Sequence, residues 1–138
     1  MRNILVDTGA IIGLLNKRDR HHSAALHFFA HLRPADELIT TWAVVTECSF
    51  ALERNRAVFY DWLLSSSIEI VPFDLDDVRA MWAWMQGYSD REVDFADASL
   101  VWLGDRRQTD LIATTDFNDF QSYRLPNKKP FRLLIAMP

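Results

Sequence analysis

The chain lacks a second cysteine, a long apolar run and an excess of basic residues. Its one cysteine, Cys48, excludes an intrachain disulfide and fits a reducing compartment. The longest apolar stretches are too short to cross a bilayer, and Asp7 interrupts the first of them, so the start of the chain lacks the layout of a signal peptide. We therefore expect a cytoplasmic protein that does not associate with membranes.

The charge balance is acidic, with a formal net charge of −4 and a pI of about 5.5. A protein that coats nucleic acid through general electrostatic attraction is expected to be basic, so this class is disfavoured. Half of the residues are apolar (49%) and a quarter are charged (25%), which is enough to bury a core and argues against disorder. With 138 residues and no internal repeat or linker, residues 1–138 are expected to form a single domain.

Short β-type runs alternate with helical patterns along the chain. Strands are predicted at residues 3–6, 38–41, 68–72 and 111–114, with a possible fifth at 131–136. Helices are predicted at residues 10–15, 22–32, 43–52, 58–64, 74–86 and 94–107. Residues 87–92 and 116–120 are predicted to be irregular. The alternation predicts an α/β fold in which helices cover both faces of a mainly parallel sheet of four or five strands.

Four acidic residues lie at or near the junctions between these strands and helices: Asp7, Glu47, Asp97 and Asp116. Asp7 follows the first strand and Asp116 the fourth, and the carboxyl ends of parallel strands share one edge of the sheet. Two carboxylates ~4 Å apart repel by about 4 kcal/mol at an effective dielectric of about 20. A cluster of four therefore needs a hard cation such as Mg²⁺ or Mn²⁺, or partial protonation. Taken singly, each acid also fits a structural role as a helix cap, a dipole partner, a turn residue or a solvated position.

Two blocks of the sequence resemble a known family: residues 94–100, DFADASL, and residues 113–120, ATTDFNDF. Together with Asp7-Thr8 and Thr46-Glu47 they resemble the PIN domain, and within it the VapC-type toxin ribonucleases of toxin–antitoxin pairs. The resemblance extends from about residue 4 to residue 120 and implies a PIN-like three-layer α/β/α fold. Gly9 stands where the family more often has another small residue such as serine.

The resemblance also implies an activity and a site. The activity is a Mg²⁺- or Mn²⁺-dependent endoribonuclease that hydrolyses RNA with water and leaves a 5′-phosphate and a 3′-hydroxyl. Asp7, Glu47, Asp97 and Asp116 match the acidic site of the family, with Thr8 or Thr115 as possible aids to a water on the metal. Asp94 is either an accessory ligand or a helix N-cap. Asp119 we expect to be structural. The implied partners are an RNA substrate, an antitoxin protein and a second copy of the chain in a homodimer.

Other functions fit the sequence less well. A haloacid-dehalogenase-like phosphatase needs a second Asp two residues after the first, where this chain has Gly9. A receiver domain needs an acidic pair after the first strand, where only Asp7 is present. A stand-alone PIN nuclease and a PIN-like binding module with an inactive site remain as alternatives to the toxin.

Aromatic residues and histidines allow further expectations. The helix pattern around residues 78–88 is apolar on nearly every side, which favours a partner surface beside ordinary core, and we expect at least three of the five tryptophans to pack in the core. His27 and His31 are one helical turn apart, a spacing that zinc can use, but no cysteine or acid accompanies them. We expect surface histidines there and a buried, unreactive Cys48.

Overall fold

The computed structural model describes residues 2–138, and its centre is a five-stranded parallel sheet. The strands are β1 (Arg2–Val6), β2 (Asp36–Thr40), β3 (Glu69–Ile70), β4 (Leu111–Ala113) and β5 (Arg132–Leu133). Their order across the sheet is β3-β2-β1-β4-β5, so β1 is the central strand. The predicted α/β class and the parallel sheet are confirmed. The third and fifth strands are two residues long and therefore shorter than predicted.

Within residues 2–138, seven α-helices connect and flank the strands. They are α1 (Thr8–Leu15), α2 (His22–Ala30), α3 (Trp42–Ala51), α4 (Arg56–Ser65), α5 (Leu75–Met85), α6 (Phe95–Arg107) and α7 (Phe117–Ser122). The prediction that residues 116–120 are irregular was wrong. The carboxylate of Asp116 accepts a hydrogen bond from the backbone N–H of Asp119, and this cap starts the six-residue helix α7. A short 3-10 turn, Gln86–Tyr88, also extends into the segment predicted as a loop.

The core forms around β1 and α6. Ile4, Leu5 and Val6 have no exposed surface, which is expected for a strand covered on both faces. In α6, nine consecutive residues are buried, from Ala96 to Gly104. A helix enclosed on all sides is held in position by its neighbours, so the acidic residue in its first turn, Asp97, is also fixed.

The tryptophans divide between core and surface. Trp102 is buried, and Trp62 and Trp84 pack against the core in part-buried positions, as expected for three of the five. Trp42 and Trp82 are exposed over more than half of their surface. Cys48 is fully buried in the core, and burial raises the pKa of its thiol to about 12, so it is a packing residue. Within residues 2–138 every helix is too short or too polar to traverse a lipid bilayer.

The close approach of Gly104 to its neighbours gives a test of this packing. A Cβ atom at Gly104 would lie 2.9 Å from the carbonyl oxygen of Thr109 and 3.2 Å from Leu5 Cδ1. We predict that Gly104→Ala lowers the free energy of unfolding by about 1–3 kcal/mol, the usual cost of overpacking. The matched control is Gly87→Ala, since a Cβ at Gly87 would meet no atom within 4 Å. Urea unfolding measures both, and equal stability of the two variants would contradict the packing of α6 described above.

Candidate active site

Parallel pairing of β1 with β4 places two of the predicted site residues at one edge of the sheet. Val6 pairs with Ala113, and the backbone N–H of Asp7 donates to the carbonyl of Ala113 at 3.0 Å. The next residue, Thr114, donates its hydroxyl to Asp7 Oδ2 at 2.7 Å. The same Thr114 hydroxyl accepts the backbone N–H of Asp116 at 2.9 Å. One buried threonine therefore holds the residues that follow both strands.

A cluster of three acids lies at this edge: Asp97, Asp116 and Asp119. One carboxylate oxygen from each lies within 4.8 Å of those of the other two. We call these three residues the aspartate cluster. Asp97 enters it from the first turn of α6 and Asp119 from the first turn of α7. Asp119, which we expect to be structural, thus lies beside two of the predicted site residues, and its role stays a prediction.

Tyr123 fixes the orientation of Asp97. Its hydroxyl donates to Asp97 Oδ2 at 2.9 Å, and its ring is buried among Trp84, Tyr88 and Phe120. Burial, followed by the negative charge of Asp97, raises the pKa of the Tyr123 phenol well above its usual value. The phenol therefore keeps its proton and remains a donor to Asp97 throughout the range in which proteins are stable.

Glu47 and Asp94 lie outside the aspartate cluster but next to it. Glu47 Oε1 accepts the hydroxyl of Thr8 at 2.8 Å. Burial, together with the nearby carboxylates of Asp94 and Asp7, raises the pKa of Glu47 to about 7. Asp94 caps α6 by accepting the backbone N–H of Ala96 at 2.7 Å, which is the capping role considered for it. The cap does not exclude a second role, because Asp94 also contributes to the negative potential at Asp7 and Asp97.

The other acids share the same electrostatic environment. Burial, followed by the charge of Asp7, raises the pKa of Asp97 to about 8. Burial and the adjacent Asp119 carboxyl raise the pKa of Asp116 to about 6. Burial also raises the pKa of Asp7, against the opposing hydrogen bonds from Thr114 and the backbone of Thr8. Upward shifts of several neighbouring carboxyl groups are typical of functional sites.

The acids fit a hard divalent cation. Six ion pairs join basic and acidic side chains in residues 2–138, and one of them reaches the aspartate cluster, through Arg91 and Asp119. None of the six involves Asp7, Glu47, Asp94, Asp97 or Asp116. Carboxylate oxygens are the ligands that Mg²⁺ and Mn²⁺ prefer. The donor set thus matches the cation that the sequence suggested.

The histidines do not form a comparable site. The rings of His27 and His31 stack with their centres 4.0 Å apart, and His31 Nδ1 bonds the carbonyl of His27 at 2.8 Å. Among the described residues, the one group of three or more potential ligands is the aspartate cluster, so neither histidine joins such a group. This agrees with the expectation of surface histidines.

Thr8 and Thr115, for which we predict an aid to a water on the metal, each have a hydroxyl in close contact with another part of the site. The hydroxyl of Thr8 is engaged by Glu47. The hydroxyl of Thr115 lies 2.1 Å from the place where a Cβ atom on residue 9 would stand, so the glycine at position 9 is what makes room for it. Residues 9 and 115 are therefore in direct steric contact where β1 and β4 end.

Three residues at the site were not identified from the sequence: Thr114, Tyr123 and Arg91. Thr114 had a signal, because it is the last residue of a predicted strand that leads to Asp116. Tyr123 follows a helix that was not predicted, and Arg91 lies in a segment predicted as a loop, so their distances to the acids were not deducible from spacing.

The chain was compared with known proteins at the levels of sequence family and fold. The PIN domain family model matches residues 4–124. No curated protein sequence matches the chain. VapC20 of Mycobacterium tuberculosis, a toxin that cleaves the sarcin-ricin loop, is similar in structure with a TM-score of 0.73 and 24% identity, over 84% of this chain and 93% of that one.

Two toxin–antitoxin complexes are also similar in fold. VapBC2 of Rickettsia felis, bound to a DNA fragment from its promoter, has a TM-score of 0.64 and 14% identity, over 95% of this chain and 98% of that one. DNA-bound VapBC of Salmonella typhimurium has a TM-score of 0.66 and 15% identity, over 97% of this chain and 99% of that one. At these identities the likeness establishes a common fold.

The raised pKa of Asp97 predicts how the metal-free protein depends on pH. The folded protein holds this proton up to about pH 8, whereas the unfolded chain releases it near pH 4. The favourable contribution of this proton to the free energy of unfolding is therefore complete below about pH 4 and is lost as the pH rises through about 8. We predict that, in EDTA, the free energy of unfolding falls between pH 5 and pH 8.

Asp97→Asn isolates this contribution, because the amide keeps the volume and the acceptor for Tyr123 but carries no charge. We predict that the variant is at least as stable as the parent in EDTA at pH 8, and that its stability falls less steeply with pH. Asp76→Asn is the control, since Asp76 is exposed and pairs only with Arg79. Chemical unfolding at several pH values measures the difference. Lower stability of Asp97→Asn at pH 8 would mean that the acids do not repel one another.

Proposed function

The chain belongs to the PIN domain family, and from this membership we propose that it is a metal-dependent endoribonuclease, the toxin of a VapBC-type toxin–antitoxin pair. The observation that carries the proposal is the gathering of carboxylates at the carboxyl edge of the sheet, where Asp97, Asp116 and Asp119 lie together. Two acids at this edge, Asp7 and Asp97, are buried and join none of the six ion pairs in residues 2–138. Such a set favours binding of a hard cation, and hard cations serve phosphodiester hydrolysis. The similar fold of the VapC20 toxin supports the choice of RNA as substrate.

We assign the site residues as follows. Asp7, Glu47, Asp97 and Asp116 would hold Mg²⁺ or Mn²⁺, with Asp94 as an accessory acid. Asp119 places a further carboxylate beside those of Asp97 and Asp116. When bound, the cation supplies Lewis-acid chemistry, which polarises water and stabilises negative charge on the phosphate. Water is then the attacking group, so no side-chain nucleophile is required and the products carry a 5′-phosphate and a 3′-hydroxyl.

The protein supplies orientation in this scheme. Thr114 holds Asp7 and the backbone of Asp116, and Tyr123 holds Asp97, so the acids are positioned before a cation arrives. Thr8 donates its hydroxyl to Glu47 Oε1 and so fixes one oxygen of that carboxylate.

The same proposal extends to partners. The VapBC complexes of similar fold contain an antitoxin with the toxin, and we propose an antitoxin and a homodimer for this chain as well. Exposed apolar side chains that such contacts would cover include Trp42, Phe50, Leu64, Leu75 and Trp82. We propose a cytoplasmic protein with one domain, in keeping with the single buried cysteine and the single sheet.

Metal binding gives the first test. Because the cation relieves repulsion among the acids, we predict that Mg²⁺ or Mn²⁺ raises the melting temperature of the parent protein. Asp7→Asn should abolish this gain, whereas Asp76→Asn, on the exposed face of α5, should retain it. Thermal unfolding across a metal titration measures the three proteins. If Asp7→Asn gains as much as the parent, the alternative of a PIN-like module with an inactive site is favoured.

RNA cleavage gives the second test. Because Asp97 is assigned as a direct ligand, we predict that Asp97→Asn slows cleavage by more than the ~10–100-fold typical when an outer partner of a ligand is changed. The fold should be intact by circular dichroism. Gel analysis of 5′-labelled RNA in Mg²⁺ or Mn²⁺ gives the rates and the product ends, with Asp76→Asn as the control. Cleavage by Asp97→Asn at the parental rate would refute the assignment of Asp97.

A further inference from the structure

Arg91 is the basic residue that contacts the aspartate cluster. It lies in the segment between α5 and α6, and its Nη1 donates to Asp119 Oδ1 at 3.3 Å. Its Nη2 donates to Ser122 Oγ at 2.7 Å. The other five ion pairs in residues 2–138 join acids that lie outside the cluster. Among the ion pairs in residues 2–138, the pair between Arg91 and Asp119 is therefore the one that brings a positive charge to the aspartate cluster.

The guanidinium group of Arg91 is held in place by aromatic rings. Its central carbon lies 4.5 Å from the centre of the Tyr123 ring and 5.2 Å from that of Tyr88. Both rings are themselves fixed: Tyr123 donates to Asp97, and the Tyr88 hydroxyl accepts the backbone N–H of Arg124 at 2.8 Å. A cation seated on two fixed rings loses little freedom when it binds a ligand, so the group is preorganised.

Arg91 also has unused binding capacity. A guanidinium carries five N–H groups, and the contacts within residues 2–138 use one toward Asp119 and one toward Ser122. The bond to Asp119 is longer than the 2.7–2.9 Å usual for charge-assisted pairs. About 30% of the side chain is exposed, and it lines an open hollow of about 670 Å³ whose wall includes Trp82 and Met85. A ligand can therefore reach the guanidinium from the solvent side.

An acidic site that acts on a polyanion needs a positive group to hold the strand. The region carries six carboxyl groups: Asp7, Glu47, Asp94, Asp97, Asp116 and Asp119. A guanidinium forms two parallel N–H···O bonds with a phosphate, which a point charge such as lysine does not reproduce. We propose that Arg91 binds a backbone phosphate of the RNA next to the cleaved bond. The proposal rests on the proposed ribonuclease function, and it adds a residue that the acidic motifs do not contain.

The rival role for Arg91 is purely structural. In that case Arg91 would only neutralise Asp119 and support the rings of Tyr88 and Tyr123. Its loss would then lower the melting temperature or change the response to metal, while RNA affinity would retain its dependence on salt. The salt dependence of RNA affinity distinguishes the two roles, because each phosphate contact of single-stranded nucleic acid contributes about 0.7 to the slope of log K against log salt.

The experiment measures RNA binding in the Asp97→Asn background, which keeps the strand uncleaved. The probe is a mixed-sequence 20-nucleotide single-stranded RNA with a fluorescein label, followed by anisotropy at several salt concentrations in Mg²⁺. Arg91→Gln, Arg91→Lys and Arg79→Gln are compared in this background. Arg79→Gln is the matched control, because it removes one arginine charge from an exposed ion pair with Asp76. Because Asp97→Asn removes a proposed metal ligand, melting temperatures with and without Mg²⁺ are recorded for the Arg91 and Arg79 substitutions in the parent background.

We expect Arg91→Gln to weaken RNA binding about tenfold or more, the effect of losing a hydrogen bond to a charged group, and to reduce the salt slope by about 0.7. Arg91→Lys should keep the slope and lose part of the affinity. Arg79→Gln should change neither. Equal effects of Arg91→Gln and Arg79→Gln would overturn the proposal, as would a changed metal response with unchanged RNA binding. If the parent protein neither binds nor cleaves RNA, the proposed function itself fails, which is a distinct result.

Discussion

The parallel pairing of β1 with β4 is the constraint on which the site depends. It brings Asp7 beside Thr114, and Thr114 bonds both Asp7 and the backbone of Asp116. Because both strands are central and short, a slip in their register would separate these three residues and expose the apolar side chains of β1. The hydrogen bonds between β1 and β4 therefore position both the residues of the site and the buried side chains of the core.

The carboxylates at this edge of the sheet lower the stability of the fold and favour the binding of a cation. Each of Asp7, Asp97, Asp116 and Glu47 is held where burial and its neighbours disfavour the charged form. The buried helix α6 and the hydrogen bonds from Thr8, Thr114 and Tyr123 offset this cost and prevent the acids from moving apart. A fold that keeps repelling groups together in this way favours cation binding, because the cation relieves the repulsion among the carboxylates.

The sequence was sufficient for the fold class and for the edge at which Asp7 and Asp116 meet, because strand ends in a parallel sheet follow from alternation alone. It was insufficient for Asp119 and Tyr123. Both depend on α7, which has six residues and begins because Asp116 caps it, so it shows too little apolar periodicity to be recognised. Arg91 is held against the ring of Tyr123 from a distant segment of the chain as well as against the nearby ring of Tyr88, and no local pattern reveals the distant contact.

The contact between position 9 and Thr115 makes these two positions interdependent. A side chain at position 9 needs the space that the Thr115 hydroxyl occupies. A serine at position 9 therefore requires the residue at 115 to be smaller or turned away. A change at either position thus has to be judged together with the residue at the other.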